Sequence, residues 1–303
     1  MDNVRVLMSD TLGGNIINIC KLWRVHQIYG DTFTFFRASH VRDAWCDKPL
    51  GELMTVFPFV TYGGPLFDIW DEYIKFVDVK SNFTLRDRNV FREKYGFKVV
   101  GCRRDLIQEV YPKYDGINCS PPIDLEPADI GSNAVVIQVW GGKFLSGHAR
   151  VFSIQMLAYM CKYFTDSGYN VYLIGQPNKL FFPDDLFDKL ADTFGITNLV
   201  GKTSNILDAL KYVYAAKFVM GFDGVFVFFS SAAGIRTMNF CILSPNPRLQ
   251  KSNDTCEQWL SHTILFEGIR GGEPLFIPQE AFIQIFNELK AGKGGWVRIK
   301  YEQ

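Results

Sequence analysis

Charged residues that follow apolar strands are the ones in this chain best placed for group transfer. Asp223 ends the run Lys217-Phe218-Val219-Met220-Gly221-Phe222 and precedes Gly224-Val225-Phe226. It can cap a following helix, and it can fix a turn whose backbone N–H groups hold a diphosphate. Lys143 and Arg150 flank the turn after Val135–Val139, where either can neutralise a phosphate that becomes a leaving group or simply be a surface cation. His148 in the same loop reads as a polar loop residue. Asp10 follows the first strand and is either a general base toward an acceptor hydroxyl or a turn residue. Gly141, Gly142, Gly175 and Gln176 lie in turns where a ligand can approach the backbone, and Gly13, Gly14 and Asn15 form a comparable loop near the N-terminus.

Such residues need strands to carry them. Val4–Met8, a small-residue turn, a helix over Ile16–Val25 and a strand at Thr32–Phe36 predict a βαβ unit with parallel strands. Tyr73–Val79 reads as a further strand, Leu85–Tyr95 as a helix and Lys98–Gly101 as a short extended piece. Ser120–Pro127 holds three prolines and reads as a linker, which sets domains at 1–127 and 128–303. The second part alternates regularly. Strands are expected at Val135–Val139, Asn170–Ile174, Thr197–Gly201, Lys217–Met220 and Thr237–Leu243. Helices are expected at Ser153–Ser167, Asp184–Phe194, from Ser204 as N-cap, at Phe229–Gly234 and at Pro278–Lys290, the last free to pack back on the first domain. This is α/β alternation with a doubly wound parallel sheet, and ligands there bind beyond the carboxyl ends of strands. The turns Ser9–Asn15, Trp140–Arg150, Gly175–Asn178, Gly201–Ser204 and Asp223–Phe226 qualify. None is a Walker loop and none is the dinucleotide GxGxxG.

Composition narrows the chemistry. The 303 residues include 32 basic and 32 acidic side chains, so net charge gives no general case for nucleic acid or an anionic membrane. One stretch, Arg86–Arg104, is locally basic and is either a solvated helix face or a patch for an anionic acceptor. Seven scattered cysteines without a CxxC suggest reduced thiols in a cytoplasmic protein, not a zinc site. There is no signal-peptide pattern and no run of about 18 apolar residues. No GxSxG supports a hydrolase.

Ile196-Thr197-Asn198-Leu199-Val200-Gly201-Lys202-Thr203-Ser204, then Phe218–Gly224 and Ala232-Ala233-Gly234, resemble the heptosyltransferase family, with its N-L-x-G-K-T-S segment and its N-D-T-G-x-x-H-x-x-A-A-x-G strand and turn. Val136–Gly142 resembles that family's IGIHPGA, Tyr169–Pro177 its WRVVLLGGP, and Met8–Leu22 its LGDxxxTxPxLxxL opening. The resemblance implies a GT-B fold, two Rossmann-like domains facing a cleft. It implies a glycosyltransferase whose C-terminal domain binds a nucleotide-diphosphate sugar as co-substrate through Gly141, Gly142, Lys143, Arg150, Gly175, Gln176, Asp223, Gly224, Val225 and Phe226. The acceptor hydroxyl would lie near Asp10 and Gly13–Asn15. It also implies metal-independent chemistry with no cofactor, in line with the lack of a DxD motif in these turns. The acceptor is a glycan or lipid-linked glycan by family, or a DNA base in a viral setting. Two departures stand out: Gly13-Gly14 where the family has glycine-aspartate, and Phe228 where it has histidine. They require a base from Asp10 or from elsewhere and motivate, as a rival reading, a catalytically silent sugar-nucleotide or partner-binding relative.

Overall fold

A computed structural model describes residues 2–8, 12–39, 47–78, 84–117, 119–143, 149–240, 263–267 and 274–298. The chain divides into two compact units, Met1–Asp124 and Leu125–Gln303.

The first unit is built on four parallel strands in the order β3-β2-β1-β4: β1 (Asn3–Met8), β2 (Thr32–Ala38), β3 (Val60–Leu66) and β4 (Val99–Val100). Helix α1 (Leu12–Tyr29) joins β1 to β2 and buries Ile16, Ile19, Cys20, Leu22 and Val25 along one face. It starts four residues earlier than its apolar period indicates. Gly13, Gly14 and Asn15 are therefore in its first turn and not in an open loop, with Gly13 and Asn15 buried. Helices α2 (Asp47–Met54), α3 (Trp70–Val77), α4 (Leu85–Tyr95) and α5 (Arg104–Gln108) complete the unit. The segment expected as a strand at Tyr73–Val79 is instead helix α3 up to Val77. Its β-formers mislead because the helix is set by other features: Asp71 and Glu72 in the first turn, and Tyr73 and Phe76 buried three residues apart. Helix α4 matches its expected bounds, with Thr84 and Asp87 closing a capping box and Gly96 ending it in the left-handed region.

Most of the basic stretch is internally paired. Glu109 accepts from both Arg88 and Arg92, the latter at 2.8 Å. Lys94 pairs with Glu72 at 2.9 Å, Arg103 with Asp105 at 2.6 Å and Lys98 with Asp31 at 3.5 Å.

Asp31 is nearly buried and ties three parts of the unit together. It accepts from the hydroxyl of Tyr111 at 2.8 Å, from the backbone N–H of Asp2 at 3.4 Å and from Lys98. Burial alone pushes its carboxyl up. The Tyr111 and Asp2 bonds and the Lys98 charge together outweigh burial and hold it below the usual carboxylate range. A depressed folded value gives stability that is present above the unfolded value of about 3.9 and lost as pH falls through the lower folded one. Wild type is thus expected to exceed Asp31→Asn in stability at neutral pH, with the gap closing as pH falls from about 5 toward 2. Urea unfolding of both proteins across that range measures it, and a gap independent of pH would refute the account.

The second unit carries seven parallel strands in the order β13-β12-β11-β10-β5-β8-β9. They are β5 (Ala134–Gln138), β8 (Asn170–Ile174), β9 (Thr197–Asn198), β10 (Phe218–Phe222), β11 (Arg236–Phe240), β12 (Thr263–Glu267) and β13 (Gly295–Arg298). The last two have no counterpart among the expected strands. A short antiparallel hairpin, β6 (Trp140–Lys143) with β7 (Ala149–Val151), follows β5. Helix α6 (Ile154–Asp166) follows Ser153, the first residue of the expected helix, which instead caps it: its hydroxyl accepts from Met156 N–H. Helix α7 (Leu186–Phe194) stops at Gly195 in the left-handed region. Helix α8 (Ile206–Ala215) is capped by Asn205, not Ser204. The Ser204 N–H and hydroxyl instead bond the Asp208 carboxylate. Helix α9 spans Val225–Ala232 and starts four residues earlier than expected, directly after Asp223-Gly224. The last helix, α10 (Gln279–Lys290), packs within this unit: Phe282, Phe286 and Leu289 are buried, and the two phenylalanines meet Phe164 edge-on.

Candidate functional site

The strand order of the second unit reverses at β5. The chain runs outward through β5, β8 and β9, then returns to place β10 on the other side of β5. The carboxyl ends of β5 and β10 are therefore the switch point, where two connections leave in opposite directions and a crevice opens for a ligand. Several residues singled out from the sequence meet there.

From β7 comes Arg150, with its side chain 12% exposed. Its Nη1 forms an ion pair with the Asp223 carboxylate Oδ1 at 2.7 Å and donates a hydrogen bond to the Asp223 backbone carbonyl. Residues 73 apart in sequence are thus joined, and the hairpin is tied to the turn that starts α9. Gly141 of β6 lies against that pair. A Cβ placed on it would fall 2.6 Å from the Phe222 Cβ and 3.2 Å from the Arg150 Cβ. Gly142 and Lys143 continue β6; the Lys143 side chain lies outside the described part.

Gly224 precedes α9 with an extended backbone, φ 178°, and gives it no side-chain cap. Val225 and Phe226 are the first helical residues. Their N–H groups belong to the helix N-terminus, which favours an anion. Two strands away, Gly175 ends β8 with φ +129°, a conformation that favours glycine, and its carbonyl accepts from Gly201 N–H at 2.8 Å. Gln176 next to it is exposed, and its carbonyl accepts from the Trp140 indole N–H at 2.7 Å.

Two buried amides complete the row and carry no local signal in the sequence. Gln138, 5% exposed, ends β5 and donates through Nε2 to the Trp140 carbonyl at 3.0 Å. Its side chain fills the notch left by Gly221, where a Cβ would lie 2.6 Å from the Gln138 Cβ. Asn239 pairs in register with Gly221 from β11 and is 1% exposed. Below them Ser230 and Thr237 share a hydrogen bond at 2.9 Å, and Thr263 donates to Ser231 at 3.1 Å.

In the first unit, Asp10 and also His148 of the second fall outside the described residues. Beside Met8, the last residue of β1, Arg37 of β2 is 3% exposed. It donates to Ser39 at 2.7 Å and to Asp47 at 3.0 Å, and Tyr62 donates to the same Asp47 oxygen at 3.1 Å. This buried ion pair was not anticipated; its one signal is an arginine inside the strand Thr32–Ala38.

The buried cysteines are poor nucleophiles, since burial pushes the Cys161 thiol up to about 12. Among the described residues no group of three or more His, Cys, Asp or Glu side chains is arranged to hold a metal ion. Among them, too, no helix is long and apolar enough to cross a membrane.

No protein-family model matches the sequence, and no curated protein matches it. Solved structures do. E. coli heptosyltransferase WaaC, bound to ADP-2-deoxy-2-fluoro heptose, superposes with a TM-score of 0.57 at 12% identity, over 94% of this chain and 99% of its own. E. coli ADP-heptose lps heptosyltransferase II gives 0.57 at 13% identity, over 94% and 98%. A glycosyl transferase of family 9 from Veillonella parvula gives 0.57 at 11%, over 95% and 90%. The likeness spans both units. The chain has a heptosyltransferase-like fold of GT-B type.

Proposed function

We propose that this protein is a glycosyltransferase that moves a sugar from a nucleotide-diphosphate sugar to an acceptor hydroxyl. The observation that carries the reading is the switch point of the second unit, where Arg150 is fastened to Asp223 beside the uncapped start of α9. The donor diphosphate would lie on the N–H groups of Val225 and Phe226, with Gly224 open to its approach. The Gly141–Lys143 strand and the Gly175-Gln176 turn would border it. A helix N-terminus favours such an anion by up to about 2 kcal/mol in a partly buried setting.

In the reaction the acceptor oxygen attacks the anomeric carbon, the bond from that carbon to the phosphate oxygen breaks, and the nucleoside diphosphate leaves. Asp10, following β1, would take the acceptor proton. Gly13–Asn15, in the first turn of α1, would line the acceptor side. The bound structures of the relatives, with ADP or an ADP-heptose analogue, support a nucleotide-sugar donor. No cofactor and no metal enter this scheme. A glycan or lipid-linked acceptor is favoured over DNA, because most cations of Arg86–Arg104 already face carboxylates of their own unit. A cytoplasmic location fits seven scattered cysteines without a CxxC.

A second reading, a silent sugar-nucleotide-binding relative, is favoured by one observation: Phe228 stands in α9 where the family carries histidine. Nucleotide release from a panel of nucleotide sugars, by wild type and Asp10→Ala, separates the two. Turnover of one donor by wild type, reduced on the order of 100-fold or more in Asp10→Ala, is expected for the enzyme. Binding of a donor without any release would leave only the second reading.

A further inference from the structure

The indole of Trp140 is fixed from both ends at the carboxyl edge of the sheet. Its backbone carbonyl accepts from the buried Gln138 amide at 3.0 Å, and its ring N–H donates to the Gln176 carbonyl at 2.7 Å. Gly175 passes close to the ring, since a Cβ there would stand 3.9 Å from Trp140 Cδ1. Trp140 is half-buried, packed at the edge of the core and not enclosed by it. A large aromatic group held rigidly, with its polar edge satisfied and part of its surface open, is what a stacking platform requires.

Its place in the sheet indicates what stacks on it. Trp140, the first residue of β6 just after β5, reaches toward the β8 turn, while the α9 N-terminus starts beyond β10, on the other side of β5. The two features are separated by about two strand spacings, roughly 10 Å. A nucleotide laid across the strand ends, with its phosphates at α9, would bring its base over the β8 turn after one ribose. We infer that Trp140 is the platform on which the nucleobase of the donor stacks. This rests on the nucleotide-sugar reading above and adds to it the residue that holds the base.

The test compares two variants that lose the same hydrogen bond. Trp140→Phe keeps an aromatic face and Trp140→Leu does not, while both give up the bond to Gln176. Calorimetric titrations would use ADP, GDP, UDP and CDP, with pyrophosphate as a probe that has phosphates and no base. For the nucleotide that wild type binds best, Trp140→Phe should stay within about threefold and Trp140→Leu should weaken by about tenfold or more. Pyrophosphate affinity should be the same in all three proteins. Equal nucleotide affinity of Phe and Leu variants would overturn the platform, because a merely structural role gives no reason for the aromatic face to matter. A parallel loss of pyrophosphate binding in Trp140→Leu would overturn it as well, by showing that the whole turn had moved. If wild type binds none of the four nucleotides, the nucleotide-sugar reading fails and this inference with it; if it binds one and the variants do not differ, only the inference fails.

Discussion

Arg150→Ala is expected to lower nucleotide-sugar turnover on the order of 100-fold and the stability of the second unit by about 2–3 kcal/mol. The stability figure sits below that for a fully buried pair because Arg150 and Asp223 keep 12% and 20% exposure. An ion pair and a hydrogen bond from one nitrogen to Asp223 make the arginine a fastener for the start of α9, and in the proposed reaction it would also set a positive charge near the leaving phosphate. Lysine restores the charge without the planar fork, so Arg150→Lys should recover part of the stability and less of the turnover. A double-mutant cycle with Asp223→Ala separates the roles. If Arg150 acts through Asp223, its removal from the Asp223→Ala protein adds little further loss of turnover. If it meets the phosphate itself, the second substitution costs nearly as much as it does in wild type. Loss of fewer than about threefold in Arg150→Ala would remove it from the mechanism altogether.

That pair also illustrates what the chain discloses before it is folded. Strand and helix periods give the α/β alternation, and a glycine such as Gly195 marks a helix end because only glycine enters the left-handed region cheaply. The ends of β5 and β10 could be named as ligand turns for the same reason. Their meeting could not, since it depends on β10 returning beside β5, a long-range pairing with no local trace. The failures are tertiary in origin. In α1, two consecutive glycines read as a turn, yet burial of Gly13 and of the face behind it outweighs their poor helix propensity. In α3, β-branched and aromatic residues suggested a strand where burial three residues apart selects a helix. Gln138 and Asn239 sit inside expected strands, and their burial follows from how those strands pack, which the sequence does not show locally.

Two glycines at this site should differ in stability on the same substitution while both lose donor binding, and the contrast separates packing from binding. Gly141→Ala puts a Cβ 2.6 Å from the Cβ of Phe222, a contact that neither backbone nor a short branch point can relieve cheaply. It also presses on Arg150 at 3.2 Å, so the hairpin must shift away from the strand ends and loosen the bond to Asp223. A stability loss of about 2–3 kcal/mol is expected, as for overpacking of a filled core, along with loss of donor binding. Gly224→Ala meets nothing closer than 3.4 Å, the Gln138 amide, and its extended backbone suits any residue. Its stability should stay within about 0.5 kcal/mol of wild type. If a diphosphate rests on the start of α9, however, the added methyl stands where the phosphate must approach, and donor affinity should fall by about tenfold or more. Urea midpoints and donor titrations of both variants decide the matter. A Gly224→Ala protein that is stable and binds donor as wild type does would place the phosphates somewhere other than the α9 N-terminus, whatever Gly141→Ala did.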